Sequence, residues 1–151
     1  MNRWLLAHKP PRIAMLLLLA AAVINWITPL HERHLITSAG TAVVLGFTGF
    51  AVMIRAWWQF RQHAVAICPT EKTSALITDG IYRYTRNPMY LGMLMMLVAA
   101  ALWIGTPPFM LAAVTFFLIM DRVFCPYEED KLQAAFSDAY RAYASRIRRW
   151  L

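Results

Sequence analysis

The sequence predicts an all-α integral membrane protein with four transmembrane helices, the third and fourth forming a short hairpin, followed by an amphipathic helix on the cytoplasmic side. Three observations lead there. Apolar residues make up 60% of the 151 positions and charged residues only 15%, whereas a soluble domain runs at about 45–50% and about 25%. The apolar residues fall in long uncharged runs, and the basic residues gather between those runs. Such a composition excludes disorder, and with Cys68 and Cys125 as the only cysteines it excludes a disulfide scaffold.

The first predicted span, residues 13–30, is charge-free and broken only by Asn25, Thr28 and Pro29. At 1.5 Å per residue it reaches about 27 Å, close to the hydrocarbon thickness of a bilayer. A cleaved signal peptide would need a small-residue cleavage site, and Asn25-Trp26-Ile27-Thr28-Pro29 offers none. The second span, residues 35–58, ends in Trp57-Trp58, an aromatic pair suited to the membrane interface. The third, 88–104, and the fourth, 107–124, are separated by Gly105-Thr106-Pro107-Pro108, which ends one helix and opens another. Both are short, so tilt or partial insertion is expected. Residues 126–149 read as an amphipathic helix, with Leu132, Phe136, Tyr140, Tyr143, Ile147 and Trp150 recurring every three or four positions. The whole chain, 1–151, reads as one membrane-embedded domain.

The net charge of +7 raises nucleic acid as a partner, but the charges form no patch and accompany no nucleic-acid-binding motif. They obey a loop rhythm instead. With four spans, every Lys and Arg except Arg33 falls on one side, which the positive-inside rule assigns to the cytoplasm, together with both termini. A prokaryotic inner membrane is the expected location.

Two clusters carry chemistry. The stretch from Asp79 to Gly92 is the densest polar and aromatic run. Asn87 before Pro88 reads as N-cap and first helical position, so the third span opens there with free amides and a positive dipole end, which favour an anion. Arg86 adds a guanidinium suited to two-point capture of a carboxylate. Tyr82, Tyr84 and Tyr90 offer faces for a flat ring or a cation. A basic-aromatic interfacial anchor would use the same residue types. The second cluster is Arg122, Glu128 and Glu129. If the helix is continuous, Glu129 lies almost directly below Arg122, and the two acids flank the apolar stripe, where they need partners. A helix-start acidic pair complementing the dipole reads the same way locally.

Other sites fail. His8, His31, His34 and His63 are dispersed and no Cys-His spacing matches zinc. There is no phosphate-binding glycine loop; Gly46 and Gly49 sit inside a span, where small residues serve packing.

The run Gly80-Ile-Tyr-Arg-Tyr-Thr-Arg-Asn-Pro-Met-Tyr-Leu-Gly92, an apolar hairpin, then Glu128-Glu129 with Phe136, Tyr140 and Tyr143 downstream resembles the isoprenylcysteine carboxyl methyltransferase family, which is similar in turn to the small phospholipid methyltransferases. The resemblance covers roughly residues 65–151. It implies a membrane methyltransferase using S-adenosylmethionine in a cytoplasm-facing pocket. Arg86, Asn87, Tyr90, Leu91 and Gly92 would line one side, Glu128 and Glu129 the other, and the backbone around Leu76, Ile77 and Tyr82 would meet the adenosine. The eukaryotic members carry His where this chain has Asn87, whereas Asn is a familiar variant among short prokaryotic-type sequences.

Arg122 is expected to face the same pocket and orient an anionic substrate group, with Glu129 or Glu128 as base if the acceptor is a thiol or amine. The spans would admit a lipophilic or membrane-associated small acceptor laterally. Two other readings remain. A small four-helix transporter needs an ionisable group deep in a span, and Arg55 and Asp121 lie at ends. A non-catalytic adaptor would use the basic helix to bind anionic lipid or a partner.

Overall fold

The computed structural model describes residues 9–28, 35–62 and 75–151. Among them the chain is helical, with no strand. Pro29 and Leu30 at the end of the first predicted span, the connection 31–34 to the second, all four histidines, Cys68, and the bases Arg3, Arg33 and Lys72 lie outside the described residues.

Helix α1, Pro10–Ile27, opens on consecutive prolines after Lys9, three residues earlier than its charge-free run, because proline is preorganised for the first helical turn. Helix α2 is Ala39–Gln62. A short 3₁₀ turn, Gly80–Arg83, precedes α3, Pro88–Ile104. Gly105, at φ 77° in the left-handed region, closes α3, and Pro107 opens α4, Pro107–Ile119, so the Gly-Thr-Pro-Pro hairpin forms as expected. Leu35 and Ser38 donate backbone hydrogen bonds to the carbonyls of Gly105 and Leu102, tying the entry to α2 to this same end of the bundle.

The helix is continuous through the junction of the fourth span and the amphipathic helix. A π-helical stretch, Met120–Phe124, carries α4 without interruption into α5, Cys125–Ala144. Pro126 falls in the first turn of α5, where its missing N–H costs little. The amphipathic helix stops at Ala144 rather than near 149, and residues 145–150 return in turns toward the start of α3. Within α5, Ser137 departs from helical geometry at φ 42°, ψ −108°, so the stripe from 132 to 143 is bent.

Helices α1 and α2 and the continuous α4–α5 rod are long and apolar enough to cross a membrane; α3 is apolar but shorter, at 17 residues. Their outward faces are apolar as well: Leu16, Leu19 and Val23 on α1 and Val44, Phe47 and Phe50 on α2 are exposed. Faces of that kind suit lipid. The core is built from Ile13, Met93, Leu97, Phe116, Met120 and Phe124. The most extensive helix contact is α2 on α3, and it is made close by glycine. A Cβ on Gly92 would stand 2.6 Å from the Gly49 carbonyl oxygen, and one on Gly49 would stand 2.7 Å from that of Gly92.

Candidate functional site

A cavity of about 360 Å³ opens where the start of α1, the end of α2, residues 75–90 and α5 converge, within the range of about 300–1,000 Å³ that holds a small ligand. Its first wall depends on Gln59. That buried side chain accepts from the Ile81 amide at 3.0 Å and donates to the Asp79 carbonyl at 3.3 Å. It fits only because Gly80 takes φ 54° and has no Cβ, which would otherwise meet the Gln59 amide at 2.1 Å. The turn so fixed buries Tyr82 edge-on against Phe60, at 5.7 Å between ring centroids.

The second wall comes from α5. The Tyr143 hydroxyl donates to the Tyr82 carbonyl at 2.7 Å. Burial pushes the Tyr143 phenol up to about 12 and holds those of Tyr82 and Tyr140 above their usual range, so all three stay protonated at neutral pH. Arg86 reaches across: its Nη1 donates to the Tyr140 hydroxyl at 3.0 Å and lies 3.2 Å from Glu129 Oε1. Its Nε is buried and has no hydrogen-bond partner among the described residues.

Glu129 is doubly bound. Arg149 Nε donates to Oε1 at 2.9 Å and Nη2 to Oε2 at 2.8 Å, while Arg149 Nη1 holds Asp121 Oδ1 at 3.0 Å. The indole N–H of Trp150 donates to the same Asp121 oxygen at 2.9 Å. Glu128 has a different setting. It accepts from the Tyr90 hydroxyl, and burial raises its carboxyl to about 7, with the Tyr90 bond acting in the opposite direction.

Arg86, Asn87, Tyr90, Ile77, Leu76, Tyr82, Glu128 and Glu129 all border the cavity, so both sequence clusters meet there. Three expected residues do not. Leu91 is absent from the lining, and Gly92 turns to the α2–α3 crossing instead. Arg122 is 78% exposed and pairs at 3.3 Å with Asp121, outside the cavity. The π stretch is the reason: i→i+5 bonding underwinds the helix, so seven residues no longer return Glu129 beneath Arg122. Tyr84 is exposed. Asn87 stands at the N-cap position of α3 but makes no capping bond; its amide donates instead to the Arg149 carbonyl at 3.3 Å.

Sequence reasoning missed Arg149, Asp121 and Trp150 as parts of the site. Arg149 sits among Arg146 and Arg148, a cluster that reads as ordinary cytoplasmic charge. Only its position between the apolar Ile147 and Trp150 hinted that it turns inward. Among the described residues no group of His, Cys, Asp and Glu could hold a metal ion.

A bundle of apolar helices that closes an aromatic, charge-lined cavity from two distant chain segments defines an all-α membrane protein with a chamber at the end of its spans. The phospholipid methyltransferase family profile matches residues 37–139, from the start of α2 through most of α5. The chain belongs to that family.

Relatives agree. An uncharacterized protein of Haemophilus influenzae is 38% identical over 63 residues, 42% of this chain and all of that protein. Protein-S-isoprenylcysteine O-methyltransferase B of Arabidopsis thaliana is 32% identical over 80 residues, 51% of this chain and 39% of the plant protein. A probable protein-S-isoprenylcysteine O-methyltransferase of Oryza sativa subsp. indica is 36% identical over 80 residues, 51% of this chain and 40% of its own length. The chain thus spans about two-fifths of the plant relatives' length. No solved structure matches it.

Proposed function

We propose that the cavity binds S-adenosylmethionine and that the protein transfers its methyl group to a lipophilic, membrane-borne acceptor. The observation that carries this reading is the Arg86–Glu129 pair at 3.2 Å on the cavity wall, with the Arg86 Nε buried and unpartnered among the described residues. Arg86 makes only a one-point contact with Glu129, so its guanidinium keeps capacity for a second carboxylate. The donor set fits the rest of such a ligand. Glu128, which no arginine pairs with among the described residues, suits an ammonium; Phe60, Tyr82 and Tyr143 offer rings to a nucleobase and to a cationic sulfonium.

Bound there, S-adenosylmethionine supplies a methyl group already activated for in-line displacement. The residues of the chain then have to hold the acceptor in line and keep water out. Pro10, Pro11, Met89, Met93 and Leu132 give the cavity an apolar flank at the membrane end of the bundle, suited to a hydrocarbon chain entering from lipid. The plant relatives are named for isoprenylcysteine, itself such a lipophile. Glu129 is committed to two guanidinium groups, so it serves as an electrostatic anchor. Glu128, whose carboxyl lies at about 7 without ligand, is drawn to its charged form by the ligand ammonium, so it serves first as the ammonium anchor; a carboxylate acceptor would need no base. The distribution of basic residues supports a cytoplasmic opening and an inner-membrane location.

Titration calorimetry on the purified full-length protein in detergent tests the reading. Wild type should bind S-adenosylmethionine, and Arg86→Ala and Glu128→Gln should weaken that binding at least about tenfold, the scale of one lost charge-assisted bond. Identical silence from wild type and variants would overturn it.

A further inference from the structure

Arg86 and Glu129 face each other across the cavity wall, and a guanidinium beside an unrestrained carboxylate closes on it through two parallel bonds. Arg86 does not. Only its Nη1 approaches Glu129, at 3.2 Å, and the same nitrogen also serves Tyr140 at 3.0 Å. The two-point grip on Glu129 belongs to Arg149, at 2.9 and 2.8 Å.

Arg149 is in turn fixed from several directions. Asp121 takes its Nη1 at both the carboxylate and the backbone carbonyl, at 3.0 and 3.2 Å. Its own carbonyl accepts from the Thr85 hydroxyl at 2.9 Å and from the Asn87 amide at 3.3 Å. The Arg148 carbonyl accepts from the Arg86 backbone amide at 3.0 Å. Residues 148 and 149 therefore hold the backbone amide of Arg86 and the side chains of its two neighbours, and Arg149 occupies the acid that would otherwise capture the Arg86 side chain.

We infer that Arg149 is a positioning residue which, by occupying both oxygens of Glu129, keeps the Arg86 guanidinium open for the carboxylate of a ligand in the cavity. The inference rests on the proposed binding of S-adenosylmethionine, and it deepens that reading by separating the residue that touches the ligand from the residue that keeps it available. Without Arg149, Glu129 is left with Arg86 as its remaining cation among the described residues, the pair closes in bidentate fashion, and the ligand carboxylate must compete with an internal one.

The test compares two ligands on the full-length protein in detergent: S-adenosylmethionine, and its decarboxylated analogue, which keeps the sulfonium, the ammonium and the adenosine. In Arg149→Met the affinity for S-adenosylmethionine should fall about ten- to a hundredfold, the worth of a charge-assisted hydrogen bond, while the affinity for the decarboxylated analogue should stay within about twofold. Arg149→Lys, which keeps a charge but not the planar fork, should give an intermediate ratio, and it decides the question if the Met variant does not fold. Equal losses for both ligands in either variant would mean a merely structural role and overturn the inference. Wild type that binds neither ligand would instead overturn the proposed function, and this inference with it.

Discussion

The hydroxyl of Tyr90, on the first turn of α3, donates to the carboxylate of Glu128, on the first turn of α5. That bond joins the two sequence clusters across the cavity and stands apart from the Arg86–Glu129–Arg149 network. One acid is therefore saturated by cations, and the other is held by a neutral phenol in a half-buried setting.

A pH dependence follows from this asymmetry. Burial raises the Glu128 carboxyl from 4.5 to about 7 in the folded protein. Between those values the folded state keeps a proton that the unfolded chain has released, so Glu128 lowers stability progressively as pH rises from about 4.5 to about 7, on the order of 3 kcal/mol in all. Glu128→Gln should remove this slope: relative to the variant, wild type should lose thermal stability in detergent across that window. Binding of a cationic ligand should run the other way, weakening by up to about tenfold per pH unit below 7 as the carboxylate is protonated. A flat stability difference between pH 4 and 8 would refute the assignment.

The α2–α3 crossing should be intolerant of a single methyl. Gly92→Ala would put a Cβ at 2.6 Å from the Gly49 carbonyl oxygen and 3.0 Å from the Met53 backbone nitrogen. Backbone cannot rotate aside as a side chain does, so a loss of about 1–3 kcal/mol is expected, measured as a lowered unfolding midpoint in detergent. Gly46→Ala is the control, because its Cβ would meet only Ala99 at an ordinary 3.5 Å.

Ser137 holds φ 42° and ψ −108° in the middle of α5, a conformation that costs a non-glycine residue about 1–3 kcal/mol. Ser137→Gly should therefore stabilise the fold by up to about 2 kcal/mol despite the greater entropy of its unfolded chain, read as a higher unfolding midpoint. Ser137→Ile, β-branched, should lower it. An unchanged midpoint in both would show that no strain resides there.

Arg122 and Arg149 contact the same aspartate with opposite consequences. Arg122 is 78% exposed beside Asp121, and such a pair is worth about 0–1 kcal/mol. Arg122→Ala should leave the unfolding midpoint close to that of wild type and ligand affinity within about twofold of it. A large loss of affinity would place Arg122 back at the site.

The sequence by itself determined the elements whose cause is local. Charge-free runs long enough for a bilayer marked the spans, Gly105 and the prolines after it marked the hairpin, and Arg86 with Tyr90 and the Glu128-Glu129 pair marked residues that line the cavity, because each depends on residues within a turn or two of one another. Tertiary structure decided the partners. The π stretch at Met120–Phe124 changed the helical phase and sent Arg122 outward, which no seven-residue spacing reveals. Arg149 reaches Glu129 over 20 positions, and its carbonyl reaches Thr85 over 64; such pairings exist only once the turns after Ala144 bring that segment back. Gly92 belongs to a helix crossing rather than to the cavity for the same reason. A periodic pattern records which face of a helix is apolar, but not which of several like charges a distant carboxylate will meet.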